Sequence, residues 1–536
     1  MLVRNKVIVF SCLLSVASLA LGANSPEDAA VQTIRPEGIR AHVEFLADDL
    51  LEGRGTGTRG HDIAAKYVAA QFEAMGLKPA GVNGSYFQPI PFRSVLIVPE
   101  QTSIKLARNG NEETLMYGED YYGVGDPRQQ VSSLTGQVVY VGHGVTAPDF
   151  GIDDYKGIDA KGKIVAFLRT RDPHLPPSEG AHYADIETRL ENAAAHGAIG
   201  AIEIRDAESD RIQPFKRALR QSTLPTMSWI GPNGYPRGRR DEIRAAAVLS
   251  PAGTAKLFSG AIPRKSLTLP VSISITTTSR NSDVTSANVI AMLEGSDPQL
   301  RSEYVVYTAH VDHLGIGEPV NGDAIYNGAF DNASGTACLI EIARAFMRLE
   351  SRPRRSIIFL GPTAEEKGLL GSDYFAEYPT VPRSQIVADV NMDSQNLQFD
   401  FRDVQVLGAE HSTLGGDAAR AATKMNLEVS PDLQPDLAFF RRSDQYSFVK
   451  RGIPALFLRR GGKAVDPHID GLKMVNEWYA TVYHSPSDDL KQPLNWAAGA
   501  KSAKFSFLIG YFIAQDDAKP RWNKGDFFGR TFGGLH

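Results

Sequence analysis

Glu303-Tyr304-Val305-Val306-Tyr307-Thr308-Ala309 runs without a break into His310-Val311-Asp312-His313-Leu314-Gly315. A short apolar run bounded by polar and turn residues reads as a strand buried on both faces, the kind found in parallel sheets. Open α/β sheets bind their ligands at the carboxyl ends of strands. Here that end carries a histidine and an aspartate two residues apart. Such a pair suits a metal ligand, His310, and a carboxylate that orients its ring, Asp312.

Two more strand ends, a helix start and one turn downstream carry chemistry. Gly328-Ala329-Phe330-Asp331-Asn332-Ala333-Ser334-Gly335 opens a helix whose apolar face is Leu339, Ile342, Ala343 and Phe346. Taken alone, Asp331 reads as its N-cap. The strand Ser356 to Leu360 leads to Ala364-Glu365-Glu366-Lys367-Gly368. Adjacent glutamates are ordinarily solvated, but a strand before them and a glycine after them argue for a site. Ile386 to Val390 runs into Asn391-Met392-Asp393, and Tyr483-His484-Ser485-Pro486-Ser487-Asp488-Asp489 sets a histidine before a proline turn. Together these supply His, Asp, Glu, Asp and His, with a glutamate and an aspartate to spare. Nitrogen and oxygen donors without thiolate, one carboxylate free to bridge, suit a pair of zinc ions. Two metals about 3.5–4 Å apart share a water, lower its pKa and clamp a hydrolytic transition state. The spare glutamate then serves as general base.

The 536 residues allow more than one core, and 42% hydrophobic with 22% charged residues is ordinary for a globular chain. A net charge of -5 leaves no broad basic surface, so nucleic acid is not an expected partner. Arg4, Lys6, the apolar run Val7 to Leu21 and the small Ala20, Gly22 and Ala23 read as an export signal over 1–23. That run is short for a membrane span and no other stretch approaches one, so no stable membrane insertion is expected after its removal. Cys12 leaves with the signal, and a lone Cys338 at helical spacing reads as core filler.

Helical spacing covers Ile39, Val43 and Leu46, then Ala64, Val68 and Phe72, with Gly53-Arg54-Gly55-Thr56-Gly57 between them as a flexible loop. Near Thr135 the pattern changes to strands at 138–142, 163–168 and 198–204 around a helix over Ile186 to His196, ending in the alternating Val271 to Ile275. The expected organisation is an α/β domain in two parts, 34–130 and 286–515, interrupted by a smaller α/β module over 131–285 and followed by a tail at 516–536.

Five ordered motifs resemble those of the co-catalytic two-zinc exopeptidases typified by bacterial leucine aminopeptidases and glutamate carboxypeptidase. They are Ala309 to His313, Tyr326 to Gly335, Glu365 to Gly368, Asn391 to Asp393 and Tyr483 to Pro486. The likeness covers 287–514 and, more loosely, 36–81. It implies the zinc-exopeptidase (phosphorylase/hydrolase-like) fold, a mixed sheet flanked by helices, acting on peptide or protein termini, most often amino termini. It also implies two Zn2+ per chain: Asp331 bridging, His310 and Asp393 completing one site, Glu366 and His484 the other. Glu365 would be the base, Asp312 would orient His310, and the Asp331-Asn332 peptide would be cis. Asp154 to Val165 resembles a protease-associated domain.

Some positions depart from the pattern. In Ser443-Asp444-Gln445-Tyr446-Ser447-Phe448, glutamine stands where the family has histidine; Tyr446 is a candidate for holding the reacting carbonyl. His313 reads as structural and His468 as a loop histidine. A carboxypeptidase or dipeptidase on this scaffold would need a cationic pocket, for which Arg441, Arg442, Arg459 and Arg460 are candidates. A glutaminyl cyclase would lack the inserted module, and a receptor-like binding protein would lack metal ligands. The oligomeric state is left open.

Overall fold

The computed structural model describes residues 25–237 and 242–534. The export signal expected over 1–23 lies outside them. Two sheets share one strand, the 27-residue Leu267–Leu293. Its first half pairs with Ser103–Arg108 and Val131–Tyr140, and its second with Phe87–Ile97 and Ser356–Gly361. The larger sheet is mixed, and four neighbouring strands at its centre are parallel. In spatial order these are Ser356–Gly361, Tyr304–Thr308, Ile386–Met392 and Ala455–Arg460.

Helices on both sides explain why these strands carry no alternation. Val305 and Tyr307 join the core built with helices Pro36–Leu46, Arg59–Ala74, Gly335–Met347 and Trp496–Gln515. Val306 faces the other way, into the core that holds Phe375 and Phe448. A strand covered on both faces must be apolar at successive positions. The smaller sheet repeats the logic, with Val131–Tyr140, Ile164–Leu168, Gly200–Ile204 and Ala245–Leu249 in parallel register. Cys338 is buried and unbridged. Among the described residues no helix is long and apolar enough to cross a membrane.

The module is larger than its expected span of 131–285. Ser103–Arg108 and Tyr121–Val124 lie in its sheet, so it begins before residue 131. Its far boundary has no linker, because Leu267–Leu293 continues through it as one strand. Thr226–Trp229 moreover pairs with Phe87–Ile97 in the larger sheet. The 53–57 segment is not a flexible loop: Gly53, Arg54, Gly55 and Thr56 are buried. The segment after 515 is not a loose tail either. It folds back as helix Phe527–Phe532, with Phe527 and Phe528 in the core, and Asp526 accepts a 2.7 Å hydrogen bond from His411 Nδ1.

Burial disfavours the His411 imidazolium, but Asp526 and Glu410 outweigh it and raise its pKa to about 9 from 6.5. A raised pKa stabilises the fold below the unfolded value, and that gain is lost as pH rises through the folded value. We predict that His411→Gln costs on the order of 3 kcal/mol at pH 6 and little at pH 10. Melting curves of both proteins at the two pH values check this; an equal loss at both would refute the ion pair.

Candidate metal centre

Adjacent parallel strands bring distant residues together. His310 stands two residues beyond Tyr304–Thr308, Glu365 and Glu366 follow Ser356–Gly361, and Asp393 directly follows Ile386–Met392. Asp331 comes from the irregular turn Ala329–Ser334 that opens the helix Gly335–Met347, and its peptide bond to Asn332 is cis. His484 follows the helix Gly471–Thr481.

These side chains meet around Asp331. His310 Nε2 lies 3.3 Å from Asp331 Oδ1 and 3.5 Å from Asp393 Oδ1. His484 Nε2 lies 3.1 Å from both Asp331 Oδ2 and Glu366 Oε2. Glu365 Oε2 sits 3.9 Å from His310 Nε2, just outside this ring of contacts. Asp312 is placed differently from the expectation. His310 Nδ1 meets the Asp312 backbone oxygen at 3.1 Å, while the carboxylate is 3.9 Å away. That carboxylate instead accepts from the Glu365 backbone N–H and the Thr56 hydroxyl, both at 3.0 Å. It thus ties the strand end that bears His310 to the one that bears Glu365.

The charges are strongly coupled. Burial pushes the Glu365 carboxyl well above the usual carboxylate range, helped by Glu366 and Asp393 and opposed by His310. Burial also works against ionised Glu366, but His484 and His313 hold its carboxyl below the ordinary range. His484 loses proton affinity to burial and regains more from Glu366 and Asp331, reaching about 9.

Several residues matter that sequence patterns did not single out. Asp488 accepts from the backbone N–H groups of Phe330 and Asp331 at 2.9 and 3.1 Å. Arg54 is buried, and its guanidinium donates to the carbonyls of Val311, Asn327 and Gly328 at 3.0, 2.6 and 3.0 Å, and to Leu46. It knits the His310 and Asp331 turns to the 53–57 segment. His313, expected to be structural, has Nδ1 2.6 Å from Glu366 Oε1. His468 is exposed, as a loop histidine should be.

Tyr446 is not at the reacting centre. It is buried, and its hydroxyl lies 2.6 Å from His182 Nδ1 of the inserted module. Gln445 lies beneath the strand ends, bonded to Asn391 and to the Phe440 carbonyl. Arg459 and Arg460 are packed over Phe439 and Trp478 and do not line the cavity beside His484. Arg441 and Arg442 do line a cavity of about 420 Å³ between module and larger domain, together with Arg217, Gln221, Tyr483 and His484. Gln221 Nε2 lies 3.4 Å from His484 Nδ1, so the module reaches the centre itself.

The donors fit divalent cations. His310 with Asp331 and Asp393, and His313 with Asp331 and Glu366, each converge within 4.8 Å. His310 Nε2 and Glu366 Oε1 are buried without a hydrogen-bond partner among the described residues. Buried polar atoms are rarely left so, and imidazole plus carboxylate without thiolate suits zinc.

Two clusters of cation donors at the strand ends of a mixed α/β sheet suit a metal-dependent hydrolase. Residues 288–508 match the model of Peptidase family M28. The chain is 35% identical over 143 residues to Aminopeptidase NAALADL1 of Mus musculus, covering 26% of this chain and 17% of that protein. It is 24% identical over 371 residues to the Glutamate carboxypeptidase 2 homolog of Caenorhabditis elegans, covering 60% and 43%. The chain thus spans less than half the length of these curated relatives. The fold is like that of the Aminopeptidase from Aneurinibacillus sp. strain AM-1, with TM-score 0.54 and 19% identity over 92% of this chain and 97% of that one.

Arg54→Met would strip four carbonyls of their donor. At about 1–3 kcal/mol for each group left unpaired, we predict a loss of at least roughly 3 kcal/mol in denaturant melts and weaker metal retention in dialysis. Unchanged stability and metal content would show that Arg54 does not brace the centre.

Proposed function

We propose that the chain is an exported zinc-dependent exopeptidase, an aminopeptidase that hydrolyses terminal peptide bonds of peptides or proteins. The observation that supports it most is the meeting of His310, Asp331, Glu366, Asp393 and His484 with Glu365 beside them. A pair of zinc ions held by the five would polarise the scissile carbonyl and make a water acidic enough to ionise near neutral pH. Glu365, beside His310, would take a proton from the attacking water as its oxygen bonds to the scissile carbonyl carbon and give it to the amine as the C–N bond breaks. Its burial raises its proton affinity, which suits a carboxyl that must accept and carry a proton. Asp312 holds the Glu365 backbone, so the base is fixed relative to His310. The basic start of the chain, its apolar run and the small residues after it support export to the periplasm or the medium.

The inserted module resembles a protease-associated domain, and in this reading it shapes the substrate cavity through Arg217 and Gln221. One observation favours a second reading, a carboxypeptidase or dipeptidase. Arg217 and Arg442 both contact Tyr483 beside His484, and neither has a carboxylate partner among the described residues. Cations so placed would receive a substrate carboxylate.

Aminoacyl anilides with free and acetylated amines, with and without a chelator, separate these readings. We predict cleavage of free-amine substrates alone, abolished by chelation. Glu365→Gln should keep its zinc in elemental analysis yet turn over about 10²–10⁴-fold more slowly. Near-wild-type turnover of that variant would remove the base, and cleavage confined to substrates with a free carboxylate would favour the second reading.

A further inference from the structure

His484 holds a backbone conformation that a side chain disfavours. Its φ is +54, in the left-handed region, where Cβ crowds the following carbonyl oxygen. From there Nε2 reaches Asp331 Oδ2 and Glu366 Oε2, each at 3.1 Å. Such a conformation persists only where its surroundings hold it. The turn follows the helix Gly471–Thr481, and the last carbonyls of a helix find no partner within it.

The inserted module supplies the hold. Arg217 and Gln221 stand one turn apart on its helix Phe215–Ser222, so both reach the same neighbour. The Arg217 guanidinium donates to the Tyr483 carbonyl, in the peptide that enters His484, and at 3.5 Å to the Tyr479 carbonyl in the last turn of the helix. A cation there also meets the negative end of the helix dipole. The same guanidinium lies 5.6 Å from the centre of the Tyr483 ring, which Arg442 approaches at 5.9 Å. That ring in turn stacks on His484, with centres 3.7 Å apart. Gln221 Nε2 is 3.4 Å from His484 Nδ1.

We propose that Arg217 is a positioning residue of the metal centre: from the module, it fixes the left-handed turn that aims His484 at Asp331 and Glu366. The inference rests on the two-cation reading above. Module docking and cation binding at the His484 site then favour one another, since each selects the same conformation of the turn.

The test is cobalt(II) titration of metal-stripped full-length protein, followed by absorption spectroscopy and with folding checked by circular dichroism. Wild type should take up two equivalents, and His484→Gln should lose one of them. Arg217→Met and Arg217→Gln should each bind that same equivalent about 10–100-fold more weakly, the range for residues that orient a ligand, and leave the other unchanged. Arg217→Lys, which keeps the charge, should fall between them and wild type. In a His484→Gln background the Arg217 substitution should weaken cobalt binding no further; losses that simply add would overturn the assignment. A lower melting temperature or a raised KM with wild-type cobalt affinities would make Arg217 a packing or substrate residue and overturn it too. Wild type that binds no cobalt would instead bring down the two-cation reading itself.

Discussion

The carboxylate of Asp331 is the hub of the molecule. It is buried, and its two oxygens face different imidazoles, His310 on one side and His484 on the other. Glu365, Glu366 and Asp393 crowd the same space. Burying several like charges together costs far more than a single ion pair repays unless opposite charge is supplied. The three imidazoles meet only part of that need. Divalent cations held by these residues would meet the rest, and the donor atoms of His310, Asp331 and Asp393 and of His313, Asp331 and Glu366 already converge.

The architecture serves that hub. Three parallel strands end side by side and deliver His310, Glu365 with Glu366, and Asp393, while Asp488 and Arg54 clamp the turns from behind. The inserted module is no appendage, since Leu267–Leu293 runs through both sheets and Tyr446 and His182 bond across the interface. Gln221 from the module reaches the far nitrogen of His484, the contact by which a ligating imidazole is usually oriented. Cavity, module and metal centre thus form one site.

Much of this was legible in the sequence for identifiable reasons. Strands buried on both faces must be continuous apolar runs, so Tyr304–Thr308, Ser356–Gly361 and Ile386–Met392 announced themselves, and the polar residues just beyond them stood out by contrast. What was missed was set by tertiary contact. Arg54 lies among glycines that read as flexibility, yet those glycines are there because carbonyls of Gly315 and Tyr326 leave no room for a side chain at Gly53. Nothing local places Tyr446 under the module rather than in the cavity. The module's edges were hidden because a strand shared by two sheets has no linker to betray a boundary.

Anomalous diffraction at the zinc edge, from crystals of the zinc-loaded protein, tests the central claim most directly. The account predicts two peaks about 3.5–4 Å apart, one on each side of the Asp331 carboxylate. A single peak, or two that do not share Asp331, would contradict it.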